Sequence, residues 1–299
     1  MEFELIRLAS KIFGAKREDV IVGAGEDDCA VVRVGRSNLV LTADNLHEKA
    51  DFPPGMLPEE MGHMALAVNL SDLAATGAKP LYFLYTITLR EASKDFFVRV
   101  LKGMKALAEK YDVAVVGGDI DFGDELFISG FAIGTADRYV TQSGAKPGDK
   151  VCLTGLLGKA QLSLEQLFSG IDRNEIAYPK SLFTPEPKIN EGVEIARHAN
   201  AMTDISDSLA VSLNLIAEKS KVGIVIYEDI LPLDHLTPYV DEKKALELFL
   251  YAGGDYELVY TSSQCTHGFE VGEVVEGSGV WIEGKHGRNK VEFRGYTHF

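Results

Sequence analysis

The fold class predicted for this chain of 299 residues is mixed α/β, organised in two halves. Short apolar runs of strand length alternate with longer segments whose apolar residues recur at helical spacing. A Gly/Pro turn cluster, SGAKPGDK, interrupts this alternation from residue 143 onward. There is no low-complexity run and no tandem repeat of roughly 20 to 50 residues. We therefore expect helices packed on sheets in each half, with domains at 1–143 and 144–299.

The first half is expected to open with a helix and to continue through five strands and two further helices. Its long helix is predicted at about 57–77 and its second at 93–110, where apolar residues recur at spacings of three and four. The strands are the short apolar runs at 29–35, 38–44, 81–89, 113–118 and 125–134.

The second half restarts with a strand at 150–155, directly after the turn cluster. Helices and strands then alternate to about residue 262. The last part of the chain reads as short strands separated by glycines.

Composition limits the functions that the chain can have. An apolar content of 46% with 25% charged residues is typical of a globular protein. The net charge of −15 argues against a nucleic-acid partner and against docking on anionic membranes. No apolar run approaches the roughly 20 residues that span a bilayer, and the acidic, amphipathic N-terminal sequence does not resemble a secretory signal.

The cysteines indicate the compartment. Cys29, Cys152 and Cys265 are odd in number and far apart in sequence, which favours reduced thiols. We therefore expect a cytoplasmic protein.

The segment NLSDLAATGA, residues 69–78, contains the most informative acidic residue. Asp72 lies on the same helical stripe as Val68 and Ala65, four and seven residues earlier. Burying an unpaired carboxylate is very costly, so Asp72 is expected to face a partner.

Other aspartates fall next to predicted strands, and ligand sites of α/β sheets gather where strands end. Converging carboxylates repel one another, and oxygen ligands suit Mg²⁺, which also bridges substrate phosphates. The alternative is that each acid is an ordinary turn or cap residue; Asp207, for example, would then cap the helix that follows it. The aspartates concerned are Asp27, Asp28, Asp44, Asp119, Asp204 and Asp207.

A phosphate-binding loop is not found in the sequence. GVWIEGKH, residues 279–286, fits G-x-x-x-x-G-K, but His286 replaces the Ser or Thr that would hold Mg²⁺, and the segment is strand-like. Any nucleotide is therefore expected to bind through metals and through the backbone amides of turns and helix N-termini.

Seven motifs in this chain occur in the order found in thiamine-monophosphate kinases, and together they span almost all of it. The motifs are GEDDCAVV, LTADNL, ALAVNLSDLAATGAKP, VVGGD, SGAKPGD, DISDSLA and GGDYELVYT, and the ending GYTHF is also similar. The resemblance implies the two-domain fold of the aminoimidazole ribonucleotide synthetase superfamily, with an N-terminal α/β domain that dimerises through its sheet. It further implies a homodimer that phosphorylates thiamine monophosphate with ATP and several Mg²⁺ ions.

The resemblance also implies roles for individual residues. Nucleotide contacts are implied for Gly118, Asp119, Gln142 and Ser206, and acceptor contacts for Asp51, Gly254 and Tyr296. Metal ligation is implied for Asp28, Thr42, Asp44, Asp72, Asp119, Asp204 and Asp207. No general base is expected, because the second pKa of the acceptor phosphate is about 6 and its oxygen is already anionic at neutral pH.

The chain departs from the family pattern mainly around the acceptor and at the periphery of ATP. The departures are Glu26 as an extra residue before the aspartate pair, Asp51 in place of a His, Gln142 in place of an Arg, Ser208 in place of a Gly, and Gly254 in place of a Glu. Arg138 is a candidate substitute for the missing Arg. Two alternatives stay open: a related ATP-dependent enzyme with another acceptor, and a regulatory nucleotide- and metal-binding module without turnover.

Overall fold

The N-terminal half of the chain is built on one six-stranded sheet, in the order β1-β2-β3-β6-β4-β5. The computed structural model describes residues 2–14, 17–285 and 287–297. Every neighbouring pair in this sheet is antiparallel except β4 and β5, which are parallel and joined by a helix. The strands are β1 (Val20–Val22), β2 (Ala30–Val34), β3 (Ser37–His47), β4 (Lys79–Leu89), β5 (Ala114–Phe122) and β6 (Phe127–Thr135). The helices are α1 (Glu2–Ile12), α2 (Glu48–Asp51), α3 (Pro58–Thr76) and α4 (Lys94–Lys110).

Helix α3 is the central helix of this half. It starts with Pro58 in the first turn, where the Glu60 carboxylate accepts a hydrogen bond from the backbone N–H of Leu57 at 2.7 Å. It ends at Gly77, whose φ of 75° suits glycine. Most of its last two-thirds is buried, because the helix contacts the sheet, α4 and elements of the second half. This burial is why its sequence is apolar on nearly all sides.

The second half is built on a seven-stranded sheet, in the order β13-β12-β9-β11-β7-β10-β8. Strands β9 and β12 pair in parallel, and the other neighbouring strands that the structure describes in this sheet are antiparallel. The strands are β7 (Lys150–Leu153), β8 (Ala201–Asp204), β9 (Gly223–Tyr227), β10 (Leu258–Ser262), β11 (Phe269–Val275), β12 (Gly279–Gly284) and β13 (Gly287–Lys290). The helices are α5 (Lys159–Phe168), α6 (Pro179–Phe183), α7 (Ile189–Ile195), α8 (Leu209–Ser220) and α9 (Glu242–Tyr251).

The predicted fold class is confirmed, with two differences in strand length that affect the candidate site. Strand β3 runs three residues past Asp44, and β5 runs three residues past Asp119, so both acids lie inside strands instead of at their ends. Ladder pairing with β6 and β4 continues through these polar residues, which apolar patterning could not indicate. Residues 136–149 contain no helix or strand. The domain division at 143/144 stays a prediction.

The prediction of reduced thiols is wrong for two of the three cysteines. Cys152 in β7 and Cys265 form a disulfide, with their Cα atoms 5.6 Å apart. Their separation of 113 residues hides this proximity, which arises because β7 and β10 are antiparallel neighbours and Cys265 lies just beyond β10. Cys29 is a free, buried thiol.

Among the described residues, no helix is long and apolar enough to cross a membrane.

Candidate active site

Four of the predicted metal-ligating aspartates come together where the two halves meet. Asp44 projects from β3, Asp72 from α3, Asp204 from the end of β8, and Asp28 from the segment just before β2. Asp72 lies close enough to the other three for their charges to affect its ionisation. We call these four residues the acid cluster.

Hydroxyl groups hold the carboxylates of the acid cluster in place. The Thr42 hydroxyl donates to the Asp72 carboxylate, and the Ser71 hydroxyl donates to Asp204 at 2.6 Å. The Thr203 hydroxyl donates to both oxygens of Asp28, at 2.9 and 2.8 Å. These contacts join Thr42, predicted as a metal ligand, to the cluster.

Burial dominates the electrostatics of the acid cluster. Loss of hydration raises the pKa of Asp204 to about 6, and loss of hydration together with the charge of nearby Asp204 raises that of Asp44 to about 6. Burial, followed by like charge, also raises the pKa of Asp72 and that of Asp28 well above the ordinary range. The protein alone therefore provides too few positive charges for these groups.

The acid cluster fits a divalent cation in its chemistry, although its ligands are not gathered into a cage. The Asp44 Oδ2 atom is buried and has no hydrogen-bond partner, which leaves an oxygen available to a cation. No group of three or more described Asp, Glu, His or Cys side chains is arranged so that it could hold a metal ion by itself. Mg²⁺ usually takes only one or two protein carboxylates and completes its shell with water and substrate phosphate. The donor set therefore suits an ion that arrives with a phosphorylated substrate.

Asp207 and Ser206 lie at the start of α8, beside the acid cluster. The cap of α8 is Ser208, whose hydroxyl accepts a hydrogen bond from the backbone N–H of Val211 at 3.0 Å. The alternative that Asp207 caps α8 is therefore wrong. The cap is Ser208, which stands where the family has a Gly.

Gly118 and Asp119 are not brought to the acid cluster within one chain. The sheet register places Gly118 in the same cross-strand row as Asp44, and Asp119 in the row of Asn45. Three strand spacings of about 4.8 Å separate β5 from β3, roughly 14 Å along the sheet. Adjacent rows point to opposite faces, so Asp119 also faces away from Asp44. Every residue of β5 is exposed.

Gln142 lies next to the acid cluster, and Arg138 does not. The Gln142 side-chain amide donates to Asp28 at 2.5 Å and accepts from the Lys219 ammonium. The Arg138 guanidinium instead donates to two backbone carbonyls, at 2.6 and 2.8 Å. Lys219, rather than Arg138, is therefore the cation at this position.

A cavity of about 1030 Å³ adjoins this corner of the acid cluster. It lies between α1 and α8, and its wall includes Asp27, Asp28, Gln142 and Lys219. Burial raises the pKa of Asp27 to about 6. The sequence did not indicate that Lys219 belongs to this site, because Lys219 is far from Gln142 along the chain and only the fold brings the two together.

A smaller pocket of about 150 Å³ adjoins the other side of the cluster, and we call it the acceptor pocket. It is lined by all three predicted acceptor contacts and by Ser206, together with several apolar side chains. The Asp51 carboxylate accepts a hydrogen bond from the backbone N–H of His47 at 2.7 Å. Gly254 has a φ of 83°, a value that disfavours the Glu common at this position in the family. Tyr256 also lines the pocket, and sequence reasoning assigned it no role.

The apparent nucleotide-loop match in GVWIEGKH forms strand β12, so it is not a phosphate-binding turn. Its His286 lies outside the described residues, as do the last two residues of GYTHF.

Comparisons with known proteins agree across the whole chain. The family model for AIR synthase related protein, N-terminal domain, matches residues 26–136, and that for the C-terminal domain matches 146–280. Thiamine-monophosphate kinase of Archaeoglobus fulgidus is 54% identical over 100% of this chain and 98% of its own. Thiamine-monophosphate kinase of Methanospirillum hungatei is 37% identical over 91% of this chain and 92% of its own.

A solved structure of AaThiL complexed with AMPPCP and TMP superposes with a TM-score of 0.88. Its sequence is 33% identical, and the match covers 100% of this chain and 97% of that one. The likeness therefore extends to both domains.

Proposed function

Because this chain belongs to the thiamine-monophosphate kinase family, we propose that it transfers the γ-phosphoryl group of ATP to thiamine monophosphate, giving thiamine diphosphate and ADP. One observation supports this chemistry above the others: the buried acid cluster lies between a large cavity and a small, mainly apolar pocket whose lining includes two tyrosines and Asp51. Two phosphorylated substrates could meet there. The comparisons do not favour a different acceptor or a regulatory module.

Magnesium ions are part of this proposal. Bound Mg²⁺ would offset the negative charge on the phosphates of both substrates, so that they could approach each other. The Thr42 and Ser71 hydroxyls would keep the carboxylates of Asp72 and Asp204 oriented toward the ions. The unpartnered Oδ2 of Asp44 supports the same role. The residues that would hold the ions are Asp28, Thr42, Asp44, Asp72, Asp204 and Asp207.

The nucleotide would enter from the large cavity. Gln142 and Ser206 are the proposed contacts on this chain, and Gln142 provides hydrogen bonds without charge. Lys219, whose ammonium reaches Gln142 and the carbonyl of Glu26 at 2.6 Å, would provide the positive charge that an Arg provides in the family pattern.

The acceptor would occupy the acceptor pocket. Thiamine monophosphate has a cationic thiazolium ring, which an acidic side chain such as Asp51 attracts and an aromatic face such as that of Tyr296 stabilises by about 0.5–2 kcal/mol. The backbone at Gly254 completes the wall. No general base is needed, because the attacking phosphate oxygen is already anionic.

A homodimer formed by the N-terminal sheet is also proposed. The face opposite α3, together with the edge strand β5, exposes large apolar side chains that usually indicate an interface. These are Tyr82, Leu84, Val115, Val116, Ile120, Phe122 and Phe131. Asp119 lies on this surface, far from the acid cluster of its own chain. We therefore propose that Asp119 contacts the nucleotide and metal of the partner subunit across the dimer, and that Gly118 contacts the nucleotide in the same way.

The cytoplasmic location stays a proposal. The Cys152–Cys265 disulfide removes the cysteine argument for it.

A panel of phosphate monoesters assayed with ATP and Mg²⁺ tests the proposed function. We expect ADP release that depends on thiamine monophosphate and on the metal. If another monoester is used at least about tenfold better by kcat/KM, a difference of about 1.4 kcal/mol, the assignment of the acceptor fails while the kinase chemistry stands. Absence of ADP release with every monoester would favour the regulatory module.

A further inference from the structure

Tyr256 is the side chain between the acceptor pocket and the acid cluster. It lines the pocket together with Asp51, Ser206 and Tyr296. Its phenol is also close enough to four carboxylates for their charges to act on it: Asp44, Asp204, Asp51 and Asp207. Two of these carboxylates belong to the acid cluster, so the phenol faces both parts of the site.

The backbone of Tyr256 has a conformation that an aromatic residue rarely adopts. Its φ is 50°, and it is one of three non-glycine residues with positive φ in the described part of the chain. A bulky residue in this left-handed region costs free energy, and such strained residues concentrate at functional sites. Gly254, two residues earlier, also has a positive φ, but glycine adopts such a conformation without strain.

Both residues next to Tyr256 are anchored, and this keeps the strained conformation in place. The Asp255 carboxylate accepts hydrogen bonds from the backbone N–H groups of Gly158 and Ala160 at the start of α5. The Glu257 carboxylate accepts a hydrogen bond from Thr154 at 2.8 Å and pairs with Lys188 at 3.3 Å. Neither acid is therefore free to contact a substrate.

The same turn is fixed to the residues that precede α8. The backbone N–H of Tyr256 donates to the carbonyl of Ile205 at 3.1 Å, and that of Gly254 donates to the carbonyl of Ser206 at 2.7 Å. Ile205 donates back to the carbonyl of Glu257 at 2.8 Å. The phenol is thus held at a fixed position relative to Asp204 and Asp207.

We propose that Tyr256 is a positioning residue whose hydroxyl donates a hydrogen bond to the phosphate of the acceptor. An acceptor phosphate bound beside four carboxylates needs donors that do not ionise. A tyrosine hydroxyl has an ordinary pKa of about 10, so it keeps its proton and can donate at neutral pH. The inference rests on the proposed function, because it takes thiamine monophosphate as the acceptor.

The test compares two ligands that differ only in the phosphate. Thiamine monophosphate and thiamine are titrated calorimetrically into the full chain, with Mg²⁺ present, for the wild type and Tyr256→Phe. We expect the substitution to weaken binding of thiamine monophosphate by at least about tenfold, as for a lost hydrogen bond to a charged group. The affinity for thiamine, which has no phosphate to accept the hydrogen bond, should differ by less than about twofold between the two proteins. Tyr239→Phe, at a half-exposed tyrosine outside the acceptor pocket, is the matched control and should bind both ligands as the wild type does.

Several outcomes would overturn the inference, and they separate it from the proposed function. If both ligands weaken equally, Tyr256 only shapes the pocket; if neither weakens, it makes no contact that matters. In both cases wild-type turnover of thiamine monophosphate leaves the proposed function intact. A wild type that neither binds nor phosphorylates thiamine monophosphate would overturn both. Phe keeps the ring and the same backbone demand, and equal unfolding temperatures for the two proteins would establish that the fold is unchanged.

Discussion

Changing Asp72 to Asn should abolish turnover without harming the metal-free fold. Burial and like charge raise the pKa of Asp72 well above its ordinary value, so in the metal-free protein the charged form of this carboxyl is disfavoured. An amide resembles a protonated carboxyl. It can still accept the hydrogen bond from Thr42, and its NH₂ group can replace the hydrogen bond that Asp72 makes with Asp44. The proposed Mg²⁺, however, would need the charge that the amide lacks.

The free-energy cost of burying a carboxylate at this site can be worked out from Asp44 and Asp204. A rise in the pKa of Asp44 or Asp204 from 3.8 to about 6 is about 2 units, which corresponds to about 3 kcal/mol. Because the folded-state pKa is raised, this contribution destabilises the fold at pH 7 and is relieved as the pH falls from about 6 toward 4. Asp72→Asn should leave this dependence in place, and its free energy of unfolding without metal should lie within about 1 kcal/mol of the wild type at pH 7.

Urea unfolding without metal and ADP release with Mg²⁺ are the two assays. We expect kcat/KM to fall at least about 100-fold, or about 2.7 kcal/mol of transition-state stabilisation. Asp229→Asn, at an exposed acid that lines neither the large cavity nor the acceptor pocket, is the control and should change neither assay. Full turnover of Asp72→Asn at limiting Mg²⁺, or a loss of more than about 3 kcal/mol of stability without metal, would refute the reasoning.

Three further perturbations have defined outcomes. Tyr296→Ala should raise the KM for thiamine monophosphate more than it lowers kcat, since the lost ring contact of about 0.5–2 kcal/mol acts on binding; an unchanged KM in ADP-release kinetics would argue against the contact. Gly103→Ala should destabilise the fold by about 1–3 kcal/mol in urea, because the new Cβ would lie 1.7 Å from the carbonyl oxygen of Glu59 where α3 and α4 touch; an unchanged unfolding midpoint would contradict this packing. Cys265→Ser should lower the unfolding temperature under oxidising conditions, by an amount equivalent to about 2–4 kcal/mol, and have little effect in reductant; equal midpoints in both conditions would mean that the disulfide does not form.

The sequence predicted the layered organisation because periodicity follows local geometry. Helix α3 and the strands around it were recognisable from apolar spacing, and the turn cluster at 143 lies in the irregular stretch between the two sheets. Strand lengths were less predictable. Polar residues such as Asp44 and Asp119 continue their strands because neighbouring strands pair with them, and that pairing depends on partners distant in sequence.

The candidate site was predictable as far as acids on apolar segments indicate a shared cation. Asp72 was found from its helical stripe, and its contacts with Thr42 and the other cluster acids agree with that reasoning. Lys219 was missed because only folding brings it to Gln142, and Tyr256 was missed because backbone strain leaves no mark in composition or spacing.

The central claim is tested most directly by following thiamine diphosphate itself. The protein is incubated with ATP, Mg²⁺ and thiamine monophosphate, and both products are quantified by chromatography. We expect thiamine diphosphate and ADP to form in equal amounts, and neither to form when Mg²⁺ is chelated. ADP accompanied by inorganic phosphate and no thiamine diphosphate, or no product at all, would contradict the account.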